Sequence, residues 1–134
     1  MVREQEEIPF IGVVVTPVWN DVERFAKYGP QLAAALNASG LQLRWVVADD
    51  GSEKDQLVDL QALVADLKKV YPHLRLSSDG IHRGKGGTIR RVWNEEGGAK
   101  WLGFVDADGS LRAEDAVKFF QAAIHLLFRY MGIK

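Results

Sequence analysis

Short apolar runs alternate with segments of helical period along almost the whole chain. Ile8 to Thr16 carries an Ile-Gly-Val-Val-Val run, and β-branched residues of this kind suit a buried strand. Val22 to Ala38 reads as helix, with a break or new start expected at Gly29-Pro30 and an end at Gly40. Leu41 to Ala48 is the second strand. Ser52 is the expected N-cap of a helix running to about Val70, in which Leu57, Leu60, Leu63, Val64 and Leu67 recur at helical spacing. Leu74 to Ser78 is a short strand. A glycine-rich loop, Gly80 to Gly87, leads into a helix ending near Gly97-Gly98. Trp101 to Asp106 is the fourth strand, and Ala113 to Tyr130 the last helix.

This βαβαβαβα order predicts an α/β fold of three layers. It has a mainly parallel sheet built from Rossmann-like βαβ units, with helices on both faces. Crossovers of this kind are right-handed, and ligands bind at the carboxyl ends of the strands. A chain of 134 residues without repeat, linker or low-complexity stretch is expected to form one domain over residues 1–134.

The charge balance excludes some partners. Seventeen basic and 18 acidic residues leave a net charge of -1 and no broad basic field, so nucleic acid is not expected. Without cysteine there is neither a disulfide nor a thiolate metal site, which fits a reducing compartment. Met1 to Glu7 is polar and acidic and lacks the pattern of a secretory signal. No apolar run reaches the ~18 residues that span a bilayer. The longest candidate, Ala116 to Ile133, is interrupted by Lys118, Gln121, His125 and Arg129, which share one helical face. A docked amphipathic helix is therefore expected in a cytoplasmic protein, with peripheral membrane contact as the alternative.

Every chemically informative segment follows a strand. Thr16-Pro17-Val18-Trp19-Asn20-Asp21 offers a ring for stacking and polar edges beside it; a helix entry capped by Asn20 or Asp21 uses the same residues. Ala48-Asp49-Asp50-Gly51-Ser52 doubles an acid at a strand end, where one carboxylate can hold backbone amides and the other a base N–H or a ribose hydroxyl. An Asp-Gly turn with a serine cap explains Gly51 and Ser52 but not the second acid. His82 to Arg91 combines glycines, which let amides approach an anion, with Arg83, Lys85, Arg90 and Arg91. It is no P-loop, because Gly86 stands where Ser or Thr must bind magnesium, and Ile89 breaks the dinucleotide fingerprint.

Phe104-Val105-Asp106-Ala107-Asp108-Gly109-Ser110 places two carboxylates one residue apart where an apolar run ends. Side chains alternate along a strand, so Asp106 and Asp108 are expected to point to one side and to hold a divalent cation, Mn or Mg, which in turn holds a phosphate. A plain strand-to-turn exit uses the same residues. Leu111 and Val117 occupy the positions where an EF-hand needs glycine and glutamate. Brought together, these loops describe a site for a nucleoside-diphosphate-sugar of the UDP or GDP type.

The chain resembles the amino-terminal half of a glycosyltransferase family 2 domain, of the GT-A fold. Val15 to Asp21 resembles the family's strand followed by Pro-x-Tyr-Asn-Glu. Val47 to Ser52 resembles its Val-x-Asp-Asp-Gly-Ser, Arg83 to Arg90 its Gly-Lys-Gly segment, and Phe104 to Gly109 its Asp-x-Asp motif. The Arg-Gly-Lys-Gly-Gly and Asp-Ala-Asp-Gly pair is most similar to the dolichyl-phosphate glucosyltransferase-like branch. The resemblance implies that Pro17, Trp19 and Asp21 flank the nucleoside and that Asp49 or Asp50 contacts the base or ribose. It further implies that Lys85 and Arg90 lie near the nucleotide-sugar, and that Asp106 and Asp108 approach metal and diphosphate. Trp19 replaces the usual tyrosine and loses its hydroxyl; Asp21 is one methylene shorter than the usual glutamate. In the family, the acceptor site and the acid that deprotonates the acceptor follow the Asp-x-Asp strand. That half is expected to be missing here, so no catalytic base is assigned. The acceptor, lipid-linked or otherwise, is unspecified. A homodimer is expected to cover the sheet edge left bare. A non-catalytic binding half-domain, or a remnant of one, is the alternative to a transferase.

Overall fold

The computed structural model describes residues 10–132. Met1 to Glu7, the start of the expected first strand at Ile8 and Pro9, and Ile133 lie outside the described residues. The elements are β1 (Gly12–Val18), α1 (Val22–Ser39), β2 (Arg44–Asp49), α2 (Lys54–Val70), β3 (Leu74–Ser77), α3 (Lys85–Glu95), β4 (Trp101–Phe104) and α4 (Ala113–Tyr130). The strands form one parallel sheet in the order β3-β2-β1-β4.

The order explains the layers. From β1 to β3 the chain steps in one direction, so right-handed crossovers put α1 and α2 on one face. The next crossover runs back past β2 and β1 to reach β4, so α3 falls on the opposite face. Residues of β1 alternate accordingly. Val14 and Val18 join Trp45, Val47, Phe25, Leu32, Leu60 and Phe120 in the larger core under α1, α2 and α4. Val13 and Val15 join Val46, Ala48, Ile89 and Val92 in the smaller core under α3. The expected three-layer α/β architecture is present. Its cover stops at β4, where Leu102 and Phe104, the register partners of Val13 and Val15, are 41% and 46% exposed. A single helix on that face spans β1 and β2 and leaves the edge strand open.

The last helix docks as its pattern requires. Ala116, Val117, Phe120 and Ile124 are buried, while Lys118, Gln121, His125 and Arg129 face outward. Among the described residues, no helix is long and apolar enough to cross a membrane.

Several boundaries differ from the sequence pattern. Pro17 does not end β1: it pairs in register with Ala48, and the strand runs on to Val18. The Val15 carbonyl accepts from Val105 of the β4 side, whereas the Val18 carbonyl accepts from Asp50 of the β2 side. Pro17 shares the parity of Val15, so its missing N–H faces β4 beyond the point where that strand has left the ladder. No sheet bond is lost. The expected break at Gly29-Pro30 is absent, and α1 is continuous through both. Gly29 is retained by close packing, since a Cβ there would come within 2.9 Å of the Leu67 side chain. Pro30 and Ala26, whose carbonyl loses its partner to the proline, both lie on the exposed face. Gly40 ends the helix in the left-handed conformation as expected.

Ser52 does not cap α2. Its Oγ accepts from the Asn20 N–H at 2.9 Å, and the Asn20 Oδ1 accepts from the Glu53 N–H at 2.8 Å. The Val22 N–H at the start of α1 donates to Gln56 Oε1 at 3.1 Å. The two helices thus cap each other across the first two post-strand loops. Asn20 holds a left-handed backbone with φ 47°, which asparagine tolerates better than most residues. Asn20→Ala is expected to cost about 1–2 kcal/mol in urea unfolding, and Asn20→Gly less, because glycine keeps the backbone geometry and loses only the side-chain bond.

Candidate functional site

All four post-strand loops open onto one cleft at the carboxyl ends of the strands. A cavity of about 320 Å³ is lined by Pro17 and Val18 at the end of β1, by Trp19, Asp21 and Arg24 beyond it, by Asp50 after β2, by His82, Gly84 and Lys85 after β3, and by Asp106, Ala107 and Asp108 after β4. It sits at the topological switch point, where the chain turns back past β1.

The two acids after β2 have separate tasks. Asp49 is buried and accepts from the N–H groups of Gly51 and Ser52 and from the Ser78 hydroxyl at 2.8 Å. It ties its own turn together and does not line the cleft. Asp50 is also buried but lines the cavity. Its Oδ1 accepts from the Arg83 N–H at 2.7 Å and from the Thr88 hydroxyl. Gly51 lets the two loops meet: at φ 77°, a Cβ there would lie 2.6 Å from the His82 nitrogen.

His82 is the residue that the sequence pattern left without a role. Its Nδ1 lies 3.1 Å from Asp50 Oδ2 and 3.0 Å from the Asp50 carbonyl. Both neighbours accept, so Nδ1 carries the hydrogen and Nε2 is left for the cleft. The ring stacks on Trp19, with centroids 4.3 Å apart and planes at 21°. Trp19 remains 51% exposed. A histidine ahead of a glycine-rich loop follows no spacing rule, and only the fold brings it to Trp19. Arg24 was missed in the same way. Asp21 makes no side-chain cap bond to α1 and instead accepts from Arg24 at 2.9 Å through both carboxylate oxygens.

Asp106 and Asp108 reach the same cleft, though not by strand alternation. β4 ends at Phe104, and both acids lie in the turn beyond it, with Ala107 buried between them. Asp106 Oδ1 is 2.8 Å from Lys85 Nζ. Asp108 accepts from the Ser110 N–H at 2.9 Å, and that bond, with Ser110 and Arg24 nearby, holds its carboxyl below the usual range. Lys85, Gly86 and Gly87, expected in the loop, form the first turn of α3. Gly84 precedes them with φ 85°, and the positive end of the helix faces the cleft wall.

A divalent cation fits this donor set only in one form. Among the described residues, no group of three or more His, Asp or Glu side chains is assembled to hold a metal. Two hard carboxylates on one wall suit a cation that takes its other oxygens from phosphates and water. The charge of the wall favours that form: Asp21, Asp50, Asp106 and Asp108 face only Arg24 and Lys85 as permanent cations.

Arg90 stands apart from the other expected residues. It lines a second, apolar depression with Gly86, Ile89, Trp93 and Phe104 on the open face of β4. Lys85 is shared by both cavities. Of the residues singled out by sequence, Pro17, Trp19, Asp21, Asp50, Lys85, Asp106 and Asp108 meet in the cleft, while Asp49 and Arg90 do not.

No protein-family model matches the chain. No curated protein matches it in sequence. Among solved structures it is similar to S. aureus TarS 1-349, with a TM-score of 0.56 and 22% identity, over 85% of this chain and 32% of that one. A longer S. aureus TarS structure gives 0.49 and 23% identity, over 83% and 19%. The chain therefore spans about a third of the length of the first. At this identity the shared property is the fold, a glycosyltransferase-like α/β arrangement.

The loop entering the cleft has its own pH signature. The Arg83 hydrogen bond, assisted by the Ile81 N–H and by Arg91, pulls the Asp79 carboxyl down to about 2 from 3.8. A depressed folded value favours the folded state above about pH 4, and the contribution disappears as pH falls toward 2. Carboxyl NMR titration is expected to place the Asp79 midpoint near 2, and Arg83→Ala to raise it toward the ordinary range, with the Ile81 N–H and Arg91 still in place.

Proposed function

We propose that this chain binds a nucleoside-diphosphate-sugar together with a divalent cation, Mn or Mg, as the donor-binding part of a glycosyltransferase. The observation that carries this reading is convergence. Trp19, Asp50, Lys85, Asp106 and Asp108 come from all four post-strand loops and line one cleft of a glycosyltransferase-like fold. In this reading the exposed face of Trp19, backed by His82, takes the base. The free Nε2 of His82 supplies a polar contact beside it. Lys85 and the amino end of α3 bind the diphosphate. Asp106 and Asp108 would hold the cation, which when bound serves as a Lewis acid for the departing nucleoside diphosphate. Without added positive charge, four carboxylates against two fixed cations would repel a diphosphate. The dolichyl-phosphate-type assignment rests on motif resemblance and stays part of the proposal.

A second reading, a binding half-domain without transfer activity, is favoured by one observation. Each carboxylate of the cleft already has a partner: Asp21 with Arg24, Asp50 with Arg83, Thr88 and His82, Asp106 with Lys85, and Asp108 with Ser110. None is left as an evident base for an acceptor hydroxyl. Both readings require donor binding, and turnover of UDP- or GDP-sugars by the pure chain separates them.

Calorimetry with UDP and GDP, in manganese, magnesium or chelator, tests the shared step. Binding is expected to need the cation and to weaken at least about tenfold in Asp106→Asn and Asp108→Asn, a loss of about 1.4 kcal/mol or more. Equal affinity with metal and with chelator removes the reading. Trp19→Ala is expected to weaken binding by about 1–3 kcal/mol while leaving the cation requirement intact.

A further inference from the structure

The two edges of the sheet are finished differently. β3 carries Arg75, tied to Glu95 at 3.0 Å and to Glu96 at 2.7 Å, and charge of this kind protects an edge. β4 has no such guard. The N–H groups of Trp101 and Val105 donate to Ile11 and Val15 on the β1 side. Leu102 and Phe104 alternate with them, so their own N–H and C=O groups point away from β1. Among the described residues, β4 pairs with no strand but β1. The exposed side chains of Leu102 and Phe104 lie on the α3 face. There Phe104 joins Ile89 and Trp93 in lining the apolar depression, of about 350 Å³.

An independent apolar surface flanks the same edge on the other face. Phe119, Ala123, Leu126 and Tyr130 share one flank of α4 at helical spacing. Phe119, Leu126 and Tyr130 are 64%, 66% and 90% exposed, more than an apolar helix flank shows when it is covered. On the opposite flank Phe128 packs against the larger core, and Glu114 lies near Tyr28 of α1. The apolar flank is therefore turned away from α1, to the side on which the sheet ends. The ends of α4 carry opposite charge: Glu114 and Asp115 stand in its first turn and Arg129 in its last.

We propose that the open edge of β4 is the interface of a homodimer, in which two copies of β4 pair antiparallel about a two-fold axis at Gly103. A contact of this symmetry requires a surface that matches itself, and this edge does so in three ways. With Gly103 on the axis, the outward N–H and C=O of Leu102 face those of the partner's Phe104, and the reverse, so all of these groups are bonded. Leu102 and Phe104 then form apolar cross-strand pairs on the α3 face. On the other face the same axis sets the two α4 helices antiparallel, with the acidic first turn of each directed at the partner's Arg129 and the helix dipoles opposed. A foreign strand could match the backbone of β4. The match of both faces and of the end charges under one axis selects a second copy. The inference does not depend on what the cleft at the strand ends binds.

The test is sedimentation velocity of the 134-residue chain across a range of concentrations, joined to amide hydrogen exchange by NMR. A monomer–dimer equilibrium is expected. Protection of the Leu102 and Phe104 amides is expected to rise with concentration, while Gly103, which faces β1, stays protected throughout. Leu102→Lys puts like charges across the edge, and Leu126→Glu does so between the α4 flanks. Both positions are exposed, so the circular dichroism of each variant is expected to match that of the parent chain. Each is expected to raise the dimer dissociation constant at least about tenfold. A monomer at every concentration overturns the proposal, and so does a dimer whose affinity neither variant changes. Protection of Leu102 and Phe104 that does not vary with concentration also overturns it, because a segment of the same chain then covers the edge.

Discussion

The buried carboxylate of Asp50 holds the cleft together. It stands at the end of β2, yet its partners, the Arg83 N–H, the Thr88 hydroxyl and His82 Nδ1, all belong to the segment after β3. A carboxylate taken out of water is costly unless its lone pairs are used, and charge-assisted bonds to three donors meet that cost. The result is directional. These bonds set where α3 starts, which places Lys85 against Asp106 and His82 against Trp19. Gly51, next to Asp50, permits the approach by having no side chain between the two loops.

The cleft follows from the same topology that limits the core. The chain advances from β1 to β3 and then returns past β1 to β4, which sets the ends of β1 and β4 side by side and brings the segments after all four strands to one rim. The return also places α3 alone on its face. Leu102 and Phe104 of β4 are consequently exposed, and the apolar depression with Trp93 and Ile89 extends from them.

Charge divides the neighbourhood into two environments. The cleft at the strand ends is acidic on balance and the cavity lined by Lys27, Tyr28 and Arg112 is basic, with Arg24 and Asp108 on the boundary. Arg24 is anchored by Asp21, and Asp108 by the turn at Ser110, so the boundary is held by local bonds rather than by a ligand. A cleft of this sign suits a cation–diphosphate pair better than a bare anion.

The sequence by itself determined the α/β class, the parallel sheet, the buried run of β1 and the docked face of α4. These depend on local periodicity, which every segment carries within itself. It also marked Trp19, Asp49, Asp50, Lys85, Arg90, Asp106 and Asp108, through their place just after strands and through the resemblance of those segments to a known family, although turns and caps use the same residue types. Tertiary structure decided which of two adjacent aspartates faces the cleft, that Arg90 lies outside it, and that His82 and Arg24 lie inside. It also carried α1 through Pro30 and moved the cap of α2 from Ser52 to Asn20 of another loop. In each case the deciding partner is distant along the chain, joined by a hydrogen bond, a ring stack or a close packing contact. No local pattern encodes a contact whose other half is folded in from elsewhere.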